Sequence, residues 1–236
     1  MKNQFILSVE HASNFIPEEY LPLFQGADEL LSGHRGYDIG IKRTAETIAS
    51  FFSLTVVTGE HSRLLVDLNR SPQNRNVFSE FTRKLKRSEK ETLLNKFHSP
   101  YRTDLENRIG NLLEAGDFVY HISFHSFTPV LNGKERKNDI GILYDPSRDK
   151  EKAFSQHLKQ ELLKVNKGLA IRFNYPYQGV SDGMVTHFRK VFAAHQYAGI
   201  ELEINQKNFT QLLKENELVK NLLETFRNVL SFYQKD

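Results

Sequence analysis

The chain of 236 residues has no cysteine. That excludes a disulfide framework, thiolate zinc sites, iron–sulfur clusters and a cysteine nucleophile. A metal, if one is bound, must rest on the 9 histidines and the carboxylates. Long apolar runs are missing too, since none approaches the roughly 20 residues that a membrane helix needs. In the opening MKNQFILSVEH the apolar stretch is only Phe5, Ile6, Leu7 and Val9, shorter than a secretory signal core and suited to a first strand. An excess of either charge is slight: 32 Lys and Arg against 29 Asp and Glu leave +3. That small excess is no nucleic-acid footprint, and the most basic stretch, TRKLKRSEK at 82–90, reads as a solvated lead-in to a helix, with a phosphate contact as the lesser alternative. With 13 Gly, 7 Pro and 11% aromatic residues, collagen-like, low-complexity and disordered classes are excluded. A soluble, cytoplasmic protein is expected, with neither nucleic acid nor membrane as partner. No G-x-S-x-G elbow, phosphate loop, H-E-x-x-H pair or G-x-G-x-x-G after the first strand is present.

Apolar runs of strand length occur at 5–9, 54–57, 63–68, 118–124, 140–144, 169–173 and 200–204. Segments of helical period lie between them, at 41–52, 101–115, 150–165 and 218–232. Ser88 and Glu91 have capping-box spacing for a further helix, which Ser99-Pro100 should kink or end. Strands alternating with helices, without repeats or linkers, predict one α/β domain over 1–236, a three-layer sandwich with a twisted, parallel or mixed sheet.

In such sheets ligands bind beyond the carboxyl ends of the strands. Polar residues cluster there at Glu10-His11, Asp67-Leu68-Asn69-Arg70, His125-Ser126 and Glu201 to Asn205. His11 and His125 each follow a separate strand; two imidazoles and one oxygen ligand leave a catalytic zinc one open position. His121 is four residues from His125, about 13 Å along a strand and too far to share an ion, so it reads as a core or rim histidine. His61, His98, His157 and His195 read as surface or helix-face residues. Arg70 offers a planar fork for a carboxylate, with Asn69 beside it, although an Asp67–Arg70 pair closing a strand end accounts for the same residues. Glu201 and Glu203 share a strand face between apolar neighbours, where desolvation raises a carboxylate toward a general base's working range.

Together SVEHASNFIP (8–17), HRGYDIG (34–40), SRLLVDLNRSP (62–72), FHSFTPV (124–130), NYPYQG (174–179) and ELEINQKNF (201–209) resemble, in order, the N-formylglutamate amidohydrolase family. The resemblance implies a zinc hydrolase of carboxypeptidase-like fold acting on a small N-acyl amino acid. It implies His11 and His125 as metal ligands, Asn69 and Arg70 as holders of the substrate α-carboxylate, and Glu203 as the base. The broader fold group has a Glu three residues after the first His, where this chain has Asn14. Asp38 is therefore the leading third ligand, ahead of Glu10 and Asn14. Arg63 is read either as an oxyanion donor or as part of a structural salt bridge. Arg136, in the tract NGKERKN at 132–138, is read as a contact for a substrate side-chain carboxylate or as part of a solvated turn. A related amidase with another acyl pocket, or a metal-free binding module on the same scaffold, are the alternatives.

Overall fold

The computed structural model describes residues 1–234. In chain order they form β1 (Asn3–Val9), α1 (Asp28–Ser32), α2 (Ile41–Phe52), β2 (Thr55–Thr58), α3 (Arg87–Leu93), α4 (Ser99–Glu114), β3 (Phe118–Phe127), β4 (Val130–Leu131), β5 (Lys134–Glu135), β6 (Ile140–Leu143), α5 (Asp149–Val165), β7 (Ile171–Phe173), α6 (Met184–Val191), β8 (Tyr197–Asn205) and α7 (Leu212–Tyr233). The main sheet has the order β2-β1-β3-β8-β6-β7. Its first four strands are parallel, and β6 pairs with β8 antiparallel and with β7 parallel. This is the expected mixed α/β sandwich. Among the described residues no helix is long and apolar enough to cross a membrane.

Alternation along β1, β3 and β8 makes the two faces of the sheet unlike. On one face Leu7, Ile122 and Ile200 belong to an apolar ladder that α2, α5 and α7 cover. On the other, Ile6, Val119 and Tyr197 pack beneath α4 and α6. Further along the same face the positions turn polar, with Ser8, His121, Ser123, His125, Glu201 and Glu203 all buried. Parallel register sets Ser8 beside Ser123, and His125 beside Glu203. The polar residues thus accumulate at the carboxyl ends, where an open α/β sheet places its ligand.

Residues 63–68 do not form the expected strand. Leu64, Leu65, Val66 and Leu68 are buried in the second core, but their backbone groups are satisfied by turns and side chains: Ser79 Oγ donates to Leu64 O at 2.5 Å, Thr82 Oγ1 to Leu65 O at 3.0 Å, and Asp67 N to Val77 O at 2.9 Å. An apolar run signals burial, and the partner of its amides is a separate matter. The expected Ser88–Glu91 box is also displaced, because Glu89 takes the Lys86 amide at 2.8 Å while Glu91 pairs with Arg87. Ser99-Pro100 does not interrupt the helical path; a π-type turn, Leu94–His98, joins α3 to α4. The 132–138 tract supplies the turn and second strand of the β4–β5 hairpin, with Asn132 and Gly133 at φ 50° and 73°, as two-residue hairpin turns require.

Candidate active site

His11 leaves the turn after β1, and its backbone carbonyl accepts the Asp38 amide at 2.9 Å. That bond brings the turn before α2 against the end of β1. Gly40 completes the turn at φ 80°, with the Phe209 ring where a Cβ would stand. Asp38 Oδ2 then lies 3.0 Å from His125 Nδ1 and 3.5 Å from His11 Nδ1. One ligand atom from each of these three buried residues lies within 4.8 Å of the others.

Both imidazoles turn Nδ1 toward this point and give Nε2 to a carboxylate. His11 Nε2 is 2.7 Å from Asp67 Oδ1, and His125 Nε2 is 3.1 Å from Glu10 Oε2. Ser123 Oγ donates to the same Glu10 oxygen at 2.6 Å. The Ser126 amide donates to Asp38 Oδ2 at 3.2 Å, and Arg63 Nη2 pairs with Asp38 Oδ1. Two nitrogens and one carboxylate oxygen, each backed by an outer partner, suit zinc with an open fourth position. His11 Nδ1 is a buried nitrogen without a hydrogen-bond partner, so its lone pair is free to serve as a ligand. The residues fit the metal.

Charges in the site are strongly shifted. Burial raises the Asp38 carboxyl, but Arg63 and the two histidines outweigh it and hold the group well below the usual carboxylate range. For Asp67 burial is likewise outweighed, by His11 and Arg63, and the carboxyl is held down to about 2. Burial lowers His125, yet its bonds to Asp38 and Glu10 raise it well above an ordinary histidine. The flanking carboxylates thus favour the imidazolium, and a cation at Nδ1 would compete with that proton.

Glu203 goes the other way. Burial, opposed by His125 and reinforced by Asp38 and Glu201, pushes its carboxyl up to about 8, and its Oε2 has no hydrogen-bond partner. The ordinary value near 4.5 applies when the chain unfolds. Between the two values unfolding releases a proton, so stability from this group is fullest below the lower value and declines as pH rises through the higher one. In metal-free protein the Tm of Glu203→Gln relative to wild type is therefore expected to climb from pH 5 to pH 8, both about the ends of that window. A Tm difference independent of pH would show that Glu203 ionises alike in both states.

A cleft of about 240 Å³ opens over these groups, bordered by Arg63, Asn69 and Arg70 as well. Asn69 Oδ1 accepts the Met184 amide at the start of α6 at 2.6 Å, and its Nδ2 lies 3.4 Å from His125 Nε2. Arg70 Nη1 donates to the Asp182 carbonyl at 2.6 Å. Arg136 lies one layer back, stacked on Phe127 and Tyr177, with Thr128 Oγ1 at 3.4 Å; those three neighbours line the cleft. It is 8% exposed, and among the described residues it has no carboxylate in ion-pair range.

Three expectations change. Glu10, weighed as a ligand, is fully buried behind His125, and Asn14 is exposed to solvent. His98 is wholly buried instead of lying on a surface, because the π-type turn carries it under the Arg70 loop, where its Nε2 is 2.8 Å from the Arg70 carbonyl. His121 does behave as a core histidine, between Ser8 Oγ and Tyr197 OH at 2.8 Å each. Asp67 and Ser123 were missed as partners of the site. Ser123 shares His125's strand parity, a signal in the sequence, whereas the contact of Asp67 with His11 spans 56 residues and had none.

A profile of N-formylglutamate amidohydrolases matches residues 3–210. The chain belongs to that family. A gene product of Agrobacterium tumefaciens of known structure is 27% identical and superposes with a TM-score of 0.80, covering 97% of this chain and 90% of that one. An N-formylglutamate amidohydrolase from Ralstonia eutropha is 17% identical, with a TM-score of 0.73 over 98% and 94%, and shares the fold. A comparison with curated protein sequences gives no match. In this family member the six sequence motifs gather mainly at one end of the sheet, around the cleft.

Proposed function

We propose that this chain, as one catalytic domain over 1–236, is a zinc-dependent amidohydrolase that cleaves an N-acyl amino acid, with N-formyl-L-glutamate hydrolysed to formate and L-glutamate. The observation that carries the reading is the convergence of His11 Nδ1, His125 Nδ1 and Asp38 Oδ2 beside a buried, unpartnered Glu203 carboxyl. When bound, zinc supplies Lewis acidity to the acyl carbonyl and to water. Glu203, made more basic by burial, accepts in its carboxylate form the proton of the attacking water and returns one to the departing nitrogen. Arg63, bordering the cleft, faces the charge that develops on the acyl oxygen. Asn69 and Arg70 hold the α-carboxylate and so fix the acyl carbon in place. Arg136, one layer behind the cleft wall, gives that wall a positive field that favours a substrate with an acidic side chain. A panel of N-acyl amino acids assayed with added zinc tests the reading: N-formyl-L-glutamate should be hydrolysed best, and no turnover of any member would overturn it.

The Arg70 role gives a sharper result. Its Nη1 is taken by Asp182, and an ammonium cannot reproduce the rest of the fork. Arg70→Lys should raise KM by about tenfold or more, with kcat changed far less. An analogue amidated at the α-carboxylate should be poor for wild type and no worse for the variant. A variant that still rejects the amide as strongly as wild type does would leave Arg70 a structural residue.

A further inference from the structure

The segment that carries Asn69 and Arg70 has no sheet ladder to hold it. Its two flanking carbonyls point instead to the helical layer beneath. Arg102 Nη1 donates to Leu68 O at 3.2 Å and to Arg70 O at 3.3 Å, and His98 Nε2 donates to Arg70 O at 2.8 Å. Both side chains are buried. Among the described residues Arg102 has no carboxylate in ion-pair range, so its bonding is to backbone alone. His98 and Arg102 are four residues apart, the spacing that puts two side chains on one helix face. They straddle the end of the π-type turn, in which the Ser99 amide bonds five residues back to Leu94 O. Pro100 follows with no amide to offer, so the wider turn costs the helix little. Such turns recur at functional sites.

We propose that His98 and Arg102 are positioning residues that fix the Asn69–Arg70 backbone so that Arg70 meets the substrate carboxylate. The proposal rests on the carboxylate-binding role given to Arg70 above. Buried donors aimed at both carbonyls around Asn69 restrict the peptide planes from which the Asn69 and Arg70 side chains leave. Without them the substrate-binding fork is spread over several orientations, and binding weakens while the proton transfers at Glu203 do not.

His98→Phe keeps a ring in the space and removes the donor. With N-formyl-L-glutamate as substrate and zinc present, its KM should rise about tenfold, with kcat within about twofold of wild type. His98→Gln restores an N–H donor and should keep KM within about threefold of wild type. Equal KM increases in both variants, or an unchanged KM in His98→Phe while Arg70→Lys raises it, would overturn the positioning role alone. An unchanged KM in Arg70→Lys would overturn the reading of Arg70 and this proposal with it. If the His98→Phe chain does not fold, Arg102→Met takes its place: it retains the buried stem, and a KM within twofold of wild type, about the scatter of the measurement, overturns the proposal.

Discussion

Glu203→Gln should lower kcat by about 10²–10⁴ while zinc content and KM remain near wild type. The amide keeps the shape of the side chain and cannot take the proton of water. The residue is suited to that task by where β8 leaves it, 4% exposed and with Oε2 free of any bond. Glu201 lies two residues earlier on the same face and is also raised by burial, but it stands beside Ser123 in register, whereas Glu203 stands beside His125. Glu201→Gln should therefore change kcat far less. A Glu203→Gln enzyme within a few-fold of wild type removes the residue from the reaction. Loss of zinc in that variant would instead make Glu203 a ligand.

His11→Ala, His125→Ala and Asp38→Ala should each lose bound zinc and hydrolysis together. Their metal affinity should fall by more than the roughly 10–100-fold expected when only an outer partner is removed. Asp67→Asn and Glu10→Gln provide that outer-partner scale, since each backs one imidazole. Asn14→Ala, at an exposed position, should bind zinc as wild type does. His121→Ala should retain zinc and lose stability, because it breaks a buried bond to Ser8 and another to Tyr197. Wild-type zinc stoichiometry and affinity in His11→Ala or His125→Ala would refute that residue's assignment; if Asn14→Ala weakens zinc more than Asp38→Ala, the third ligand belongs to the turn after β1.

The central strands were legible from the sequence because β1, β3 and β8 are short apolar runs ending in polar residues, and each ends at the site. Parity placed Glu201 and Glu203 on one face, and their shared face is now seen to include Ser123 and His125. What escaped was set by contacts distant in sequence. The 63–68 run is apolar enough for a strand, yet the side chains of Ser79 and Thr82 meet its carbonyls. His98 has the sequence surroundings of an exposed helix residue, and only the π-type turn draws it inward. The Arg63 contact with Asp38 spans 25 residues, so the choice between an oxyanion donor and a salt bridge had no local signal. The ion pair is present, and the guanidinium borders the cleft as well.

One face of the sheet only holds the protein together, while the other packs a second core and carries the site as well. The ladder of Leu7, Ile122 and Ile200 against α2, α5 and α7 contributes no side chain to the cleft. The catalytic face carries buried carboxylates and imidazoles, whose burial opposes folding unless each is partnered. Substitutions at the two faces, being on opposite sides of the sheet with few shared partners, should combine nearly additively in stability. A redesigner can therefore reinforce the scaffold from one side to offset disruptive changes on the other, and alter the substrate range of this enzyme with the fold kept in reserve.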